Sequence, residues 1–247
     1  METSTLDPLI RHAALPQATA HRRAGVDVWL LPLEAWRPHA DELQPVVDAM
    51  QRGRIAALRD PGLRRDRLLA HALHRIILAQ ALGVPPVLLP LDRRPLGQPV
   101  LGLQGWHTSL SHAADVVAVA LAGAAVGVDV ESRETASLSP IADLVCAPTE
   151  RAALPVDAPA RQARLLSTWV RKEAALKAAG IGLAREMASF ALDEQPIALA
   201  DAGGRPMHLH VHTHGEGTPW MAAVACESSA PPQWHWRTPA HPPFQFN

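Results

Sequence analysis

A strict alternation over residues 126–131 constrains the fold more than any other feature of the sequence, which there reads Val-Gly-Val-Asp-Val-Glu. A period of two predicts a β-strand, with the three valines on one face and Gly127, Asp129 and Glu131 on the other. A strand anchored by its valines cannot move to relieve repulsion between its two carboxylates, so the pattern favours a bound divalent cation. Oxygen ligands suit Mg²⁺, with Mn²⁺ as the alternative metal. The competing interpretation is a half-exposed strand whose acidic side chains face water.

A predicted helix carries a third carboxylate. Trp169, Glu173 and Lys177 are spaced at i, i+4 and i+8 and therefore share one face, with Lys172 beside them. Glu173 and Lys177 could be an ordinary helix ion pair, which contributes only ~0.3–0.5 kcal/mol. The composition weighs against this alternative, because the chain has two lysines against 21 arginines. The two lysines therefore indicate that a compact ammonium group is required at a site.

The segment Ser109-Leu110-Ser111-His112 precedes the acidic strand. Adjacent serine and histidine cannot form a serine-hydrolase pair with each other, and the chain has no G-x-S-x-G elbow, so hydrolysis of that type is disfavoured. A hydroxyl beside an imidazole suits phosphate oxygens better. The Gly-rich phosphate loops of nucleotide triphosphatases and dinucleotide enzymes are missing from the sequence.

Basic side chains recur at regular spacing in two places. Between Asp60 and Gly83, apolar residues repeat at helical spacing, and the opposite face is basic. The basic residues of that face are Arg64, Arg67, His71, His74 and Arg75. The simplest interpretation of these residues is a solvated helix face. A second group, the alternating row His208, His210, His212 and His214, is most simply interpreted as an exposed face of a predicted strand. Such a row can bind a transition metal, but no acidic or cysteine ligand is close to it in sequence.

The two ends of the chain are predicted to differ from the folded region between them. Residues 1–25 form a loose leader, and residues 229–247 form a Pro-rich tail, laid over the surface or disordered. Residues 115–122 and 125–131 predict a β-hairpin that turns at Gly123. A second long helix is predicted to begin after Asp157 and to end at Gly180.

Bulk composition excludes several classes of partner. The net charge is −1 and the isoelectric point is about 6.9, which argues against a broad surface for nucleic acid or for an anionic membrane. Cys146 and Cys226 form neither a metal pair nor a disulfide framework, and the N-terminal residues do not have the pattern of a signal peptide. We therefore expect a cytoplasmic protein without a transmembrane segment.

Four segments, taken in order, closely resemble the signature series of the 4′-phosphopantetheinyl transferases, of the monomeric surfactin-synthetase-activating type. They are Gly97-Gln98-Pro99, Ser109 to His112, Gly127 to Glu131, and the run from Trp169 to Gly180. The resemblance covers roughly residues 26–226. It implies an α/β fold of two similar subdomains related by a pseudo-twofold, each a small sheet packed with helices. Coenzyme A would lie in the cleft, with its adenine and 3′-phosphate on the side of residues 26–124 and the metal and catalytic helix in residues 125–228.

The resemblance also implies a reaction. A holo-[acyl-carrier-protein] synthase of this kind transfers the 4′-phosphopantetheine arm of coenzyme A to a serine of an apo acyl or peptidyl carrier protein, and releases adenosine 3′,5′-bisphosphate. Asp129, Glu131 and Glu173 would hold Mg²⁺. Glu173 would also help to deprotonate the serine, and Lys177 would neutralise phosphate charge. Coenzyme A would be contacted by Arg54, Arg67, Gly97, Gln98, Pro99, Ser111, His112, Lys172 and Lys177.

The sequence departs from the family pattern at Gln98, where a basic residue is frequent, and at Ser109, where asparagine is common. Two other functions use the same residues. One is a Mg²⁺-dependent phosphohydrolase that acts on coenzyme A or a nucleotide, and the other is a catalytically degenerate module that binds coenzyme A or a carrier protein. The expected partners are therefore coenzyme A and a carrier protein from fatty acid, polyketide or nonribosomal peptide synthesis, bound by a monomer.

Overall fold

Two four-stranded sheets and two helices of 22 residues each form the framework. The computed structural model describes residues 25–94, 97–113, 115–182, 185–193 and 195–239. The predicted leader, apart from Gly25, and the last eight residues of the predicted tail lie outside the described residues. The mixture of helices and small sheets confirms the predicted α/β class. Within the described residues, none of the helices is both long and apolar enough to cross a membrane.

The described residues form ten β-strands and seven α-helices. The strands are β1 (Val26–Pro32), β2 (Leu91–Arg93), β3 (Pro99–Leu101), β4 (His107–His112), β5 (Val116–Ala122), β6 (Val126–Ser132), β7 (Ile197–Ala200), β8 (Pro206–His214), β9 (Trp220–Cys226) and β10 (Gln233–Trp236). The α-helices are α1 (Leu33–Trp36), α2 (Ala40–Leu43), α3 (Ala49–Ala56), α4 (Pro61–Leu82), α5 (Ala142–Val145), α6 (Pro148–Ala152) and α7 (Ala158–Ala179). Short 3₁₀ turns join several of them.

The two long helices begin and end in the same manner. The side chain of Asp60 accepts a hydrogen bond from a backbone N–H in the first turn of α4, and Asp157 does the same for α7. Each helix stops at a glycine in the left-handed conformation, Gly83 (φ 67°) or Gly180 (φ 69°). Only a residue without Cβ adopts this conformation at no steric cost. The predicted limits of both helices are therefore confirmed.

The first sheet has the strand order β10-β1-β5-β4, and the second has the order β6-β9-β8-β7. Helix α4 covers the first sheet and α7 covers the second, each over an apolar core. A third apolar core lies between the two sheets, and Val126, Val128 and Val130 belong to it. The prediction that the three valines share one buried face of a strand is confirmed.

The predicted hairpin between β5 and β6 is wrong. Both strands form, but β5 pairs with β1 and β4, whereas β6 pairs with β9 in the other sheet. All seven residues of β5 are buried, because its two faces belong to two different apolar cores and both of its edges are paired within the first sheet. The short connection at Gly123 therefore carries the chain from one sheet to the other.

The Pro-rich tail contains regular structure. Gln233–Trp236 forms the edge strand β10, which is parallel to β1. An edge strand tolerates prolines at its ends because its outer N–H groups have no ladder to join. Trp234 stacks on His214 of the second sheet, with ring centroids 4.7 Å apart. The tail is thus hydrogen-bonded to one sheet and packed against the other.

Gly127 allows β6 to approach α7 closely. A Cβ atom built there would overlap the carbonyl oxygen of Ala174 and the backbone nitrogen of Ala178. Because both atoms belong to the helix backbone, a Gly127→Ala substitution must push α7 away from the sheet. We expect it to lower the free energy of unfolding by about 1–3 kcal/mol or more, measured by urea denaturation. Gly53→Ala is the control, since nothing lies within 4 Å of a Cβ at that helical position. Equal stability of the two variants would contradict this expectation.

Candidate functional site

Asp129 of β6 lies at the centre of the candidate site, where the two sheets and α7 meet. Its side chain is buried, with 3% exposed. Its Oδ1 accepts hydrogen bonds from the hydroxyl of Ser111 on β4 at 2.7 Å and from Nζ of Lys177 on α7 at 2.6 Å. Lys177 also donates to the carbonyl oxygen of Val128 at 3.2 Å. Three segments far apart in sequence thus converge on one carboxylate.

Glu131 lies two residues further along the same face. The indole of Trp169 on α7 is close enough to its carboxylate to act on its pKa, which it lowers. Burial, followed by the nearby charge of Asp129, raises the pKa of Glu131 to about 7, with Glu173 adding to the effect. Burial and Asp129 likewise raise the pKa of Glu173. The negative charge of Asp129 therefore raises the pKa of both glutamates, and Glu173 also contributes to the raised pKa of Glu131.

The donor set can be tested for its fit to a metal ion. No three His, Cys, Asp or Glu side chains within the described residues are arranged to hold a metal ion by themselves. However, Oδ2 of Asp129 is buried without a hydrogen-bond partner, and the neighbouring carboxylates repel it. Mg²⁺ is commonly bound by one or two carboxylates together with substrate phosphates and water. The residues therefore fit Mg²⁺ that is shared with a phosphate ligand, rather than a site made by protein alone.

The raised pKa of Glu131 predicts a pH effect on stability. In the unfolded chain Glu131 loses its proton near pH 4.5, whereas in the folded protein it keeps the proton until about pH 7. Raising the pH through this range therefore favours unfolding, because the unfolded state releases a proton that the folded state retains. We expect Glu131→Gln, in EDTA, to have nearly the wild-type melting temperature at pH 5 and a higher one at pH 8. A constant difference at both values would contradict the pKa shift.

A cavity of about 490 Å³ opens beside these carboxylates. It lies between the two halves of the chain, since its lining includes Glu173, Lys177 and Gly180 from the α7 side and residues of β3 and β4 from the other side. The predicted Gly97, Gln98 and Pro99 all belong to the lining, and Gln98 also donates to the carbonyl oxygen of Lys177 at 3.3 Å.

A second cavity of about 370 Å³ adjoins the first. The predicted Arg54 and Arg67 line it, together with His71, Arg93 and Gly97. Arg93 and Gly97 line both cavities. The basic stripe of α4 is therefore divided, because Arg67 and His71 face this cavity whereas His74 and Arg75 are buried inside the protein. The interpretation of this stripe as a solvated helix face is therefore wrong for His74 and Arg75, which are buried.

Ser111 and His112 do not line either cavity among the described residues. The hydroxyl of Ser111 donates to Asp129 and accepts from Lys177 at 3.0 Å, so it orients these two charged groups. Burial, with Arg67 and Lys177 nearby, lowers the pKa of His112 to about 4. The imidazole is thus neutral at pH 7 and close to two cationic side chains.

The prediction that Lys172 binds coenzyme A is wrong. Lys172 is fully buried and lines neither cavity, unlike its neighbour Glu173, which lines the first. Its Nζ donates to the carbonyl oxygens of Val145, Met187 and Phe190 and lies 2.6 Å from Oε2 of Glu150. With four oxygen partners, the ammonium has no N–H left for a ligand. The lysine joins α7 to the segments before and after it.

Two arginines of the site were missed in the sequence. Arg93 and Arg94 line the first cavity, at the end of β2 and just after it. Their sole sequence signal is that they precede the Gly97-Gln98-Pro99 segment by a few residues. The strand pairing that places Arg93 opposite Pro99 is what brings them to the cavity.

The histidine row lies on one strand, as predicted. His208, His210, His212 and His214 belong to β8, and no transition-metal arrangement of three such ligands is found in the described parts of the chain. His210 and His212 pair across the sheet with Cys226 and Val224 of β9. The row therefore lies on one face of the second sheet.

Comparison with known proteins agrees with this geometry. The sequence profile of the 4′-phosphopantetheinyl transferase superfamily matches residues 125–226, which contain the acidic strand and α7. A phosphopantetheinyl transferase from Thraustochytrium sp. is 31% identical over 204 residues, which are 73% of this chain and 71% of the relative. The 4′-phosphopantetheinyl transferase psf-1 from Bacillus pumilus is 27% identical over 155 residues, which are 62% of this chain and 66% of the relative. The chain belongs to the 4′-phosphopantetheinyl transferase superfamily.

Proposed function

We propose that the protein transfers the 4′-phosphopantetheine arm of coenzyme A to a serine of an apo acyl or peptidyl carrier protein, with Mg²⁺, as a monomeric enzyme of the surfactin-synthetase-activating type. The observation that carries this proposal is that Glu173 and Lys177 line the 490 Å³ cavity, while the buried Asp129 is bonded to Lys177 and close enough to Glu173 to raise its pKa. Both relatives described above are phosphopantetheinyl transferases by name. In this proposal the carboxylates of Asp129, Glu131 and Glu173 and the ammonium of Lys177 all act on the diphosphate of coenzyme A, the carboxylates through Mg²⁺ and the ammonium directly.

The reaction needs charge neutralisation and positioning more than covalent chemistry. The serine oxygen of the carrier attacks the phosphorus that bears the pantetheine arm, and the bond from that phosphorus to the bridging oxygen breaks. Adenosine 3′,5′-bisphosphate leaves with the bridging oxygen. Mg²⁺ bound by Asp129, Glu131 and Glu173 would neutralise charge on the diphosphate.

Glu173 is the side chain proposed to accept the serine proton. It lines the cavity, and burial with the nearby Asp129 raises its pKa, which makes the carboxylate a stronger base than an exposed glutamate. Lys177 extends from the next turn of α7 into the same cavity. Its ammonium is held by Asp129 and Ser111, so it is already oriented where negative charge on the leaving phosphate would develop.

Incubation with coenzyme A and Mg²⁺ tests the proposal. An apo carrier protein should gain the mass of one phosphopantetheine group, and adenosine 3′,5′-bisphosphate should appear in equal amount. Release of the bisphosphate without any carrier would show a phosphohydrolase instead. Binding of coenzyme A by calorimetry with no change in carrier mass would show a degenerate binding module.

Replacement of Lys177 by arginine tests why a lysine was retained. Three oxygen acceptors converge on its Nζ, from Ser111, Val128 and Asp129. A planar guanidinium cannot satisfy that compact arrangement. We expect Lys177→Arg to lower kcat/KM for carrier modification by about 10²-fold, whereas Arg164→Lys, at an exposed position of the same helix, leaves it unchanged. Unchanged turnover in Lys177→Arg would mean that any cation serves there.

A further inference from the structure

Strands β4 and β6 are edge strands of the two different sheets, and they lie against each other where the two halves of the chain meet. Strand β4 pairs with β5, and β6 pairs with β9, so each has an outer edge whose backbone N–H and C=O groups point away from its own sheet. Because this meeting place is buried, these groups need partners other than water.

Side chains take up both backbone groups of Val128 on the outer edge of β6. Its N–H donates to the hydroxyl of Ser109 on β4 at 3.1 Å. Its carbonyl oxygen accepts from Nζ of Lys177 on α7 at 3.2 Å. Val128 is completely buried, so the loss of either partner would leave a polar backbone group unsatisfied. Ser109 and Lys177 therefore hold the same peptide segment from two sides.

The second serine of β4 makes a contact at the next residue of β6. Ser109 and Ser111 are two residues apart and therefore share one face of β4, and both are buried, with 4% and 8% exposed. Ser111 donates to Oδ1 of Asp129 and accepts from Nζ of Lys177. The two hydroxyls thus join the edges of the two sheets without a backbone ladder. All three acceptors of the Lys177 ammonium lie at this junction.

We propose that Ser109 is a positioning residue for phosphopantetheine transfer. By accepting the N–H of Val128, it fixes the edge of β6 so that the Val128 carbonyl oxygen and the Asp129 carboxylate hold the Lys177 ammonium in its catalytic orientation. The inference rests on the proposed function, because that function gives Lys177 the task of neutralising the leaving phosphate. Ser109 lines the 490 Å³ cavity but acts through the backbone of β6. Loss of its hydroxyl should therefore slow the chemical step and leave the binding of coenzyme A unchanged.

Single-turnover kinetics and calorimetry test this separation. We expect Ser109→Ala to lower the single-turnover rate of carrier modification by about 10-fold, the effect of one lost hydrogen bond, at an unchanged dissociation constant for coenzyme A. Ser109→Thr retains a hydroxyl acceptor and should recover most of the rate. Thr108→Val is the matched control, because it removes a buried hydroxyl from the opposite face of β4, where Thr108 bonds to His74 and Ala120. It should lower the melting temperature and leave the single-turnover rate unchanged.

Amide hydrogen exchange at Val128, followed by NMR in the protein without ligands, provides a readout besides activity. An amide exchanges when it separates from its acceptor. Ser109→Ala should therefore speed exchange at Val128 by about 10-fold, whereas N–H groups within the ladder between β6 and β9 should keep their wild-type rates. Ser109→Thr should restore slow exchange at Val128. If Ser109→Ala proves too unstable to assay, Ser109→Cys, whose sulfur is a weak acceptor, gives the same comparisons.

The outcomes separate this inference from the proposed function. If the wild type modifies a carrier and Ser109→Ala keeps the wild-type single-turnover rate, the inference is wrong and the function stands. Weaker binding of coenzyme A at an unchanged rate would overturn the inference by making Ser109 a ligand contact. A lower melting temperature at an unchanged rate would overturn it by making the serine merely structural. If the wild type modifies no carrier, the proposed function fails and the inference fails with it.

Discussion

Asp129→Asn should reduce carrier modification by about 10³-fold or more, the largest effect on activity that we expect. The substitution keeps the shape of the side chain and removes its charge. Asp129 is buried, its Oδ1 holds Ser111 and Lys177, and its Oδ2 has no partner within the protein. A neutral amide therefore weakens both the hold on Lys177 and the attraction for Mg²⁺. The initial rate of carrier mass gain with saturating coenzyme A measures the loss.

Binding of Mn²⁺, followed by its paramagnetic effect on water protons, provides a readout of Asp129→Asn besides activity. It should weaken in the variant when coenzyme A is present. Asp143→Asn is the matched control, because that aspartate is exposed and pairs with Arg151 at the surface. Full transfer by Asp129→Asn, or an equal loss in Asp143→Asn, would contradict the assignment of Asp129 as a metal ligand.

Lys172→Met should lower the free energy of unfolding by about 3–5 kcal/mol, because it leaves the carboxylate of Glu150 buried without a counter-charge. Glu150 cannot turn toward water, since its two oxygens accept hydrogen bonds from the backbone N–H groups of Ala147 and Leu192. The carbonyl oxygens of Val145, Met187 and Phe190 lose their donor at the same time. Urea denaturation at pH 7 measures the change.

A double-mutant cycle with Glu150→Gln identifies the cause. Adding Glu150→Gln to Lys172→Met should destabilise the protein less than the sum of the two single changes, because no unpaired charge is then buried. Arg164→Met, at an exposed position of the same helix, should have little effect. If Lys172→Met kept wild-type stability and bound coenzyme A more weakly, the first assignment of Lys172 to the ligand would be restored.

The local features of the site follow from sequence periodicity alone. The alternation at residues 126–131 predicted both faces of β6, since a strand has one geometry wherever it lies. The aspartate caps and terminal glycines predicted α4 and α7, because a helix satisfies its ends with nearby residues. The spacing of Glu173 and Lys177 placed both of them at the cavity for the same reason.

Periodicity failed where the partner is distant in sequence. The short connection at Gly123 predicts a hairpin from local sequence alone, which holds no information about the other strands. In the structure β6 pairs with β9 instead, because both edges of β5 are already occupied by β1 and β4. Lys172 and Lys177 have the same local signal, yet one is surrounded by buried carbonyl oxygens and the other lines the cavity. Arg93 has no signal beyond its proximity to the Gly97 segment.

The sequence by itself determined the elements, the two faces of β6 and the carboxylates that line the site, because these depend on contacts within one strand or one helix turn. Only the tertiary structure decided which sheet each strand joins, which lysine faces the ligand and which arginines surround the second cavity. These outcomes depend on segments that meet across the fold, such as β2 with α4 and β4 with β6. The burial and charge of a side chain at such contacts depend on how the whole chain packs, so they produce no periodic pattern in the sequence.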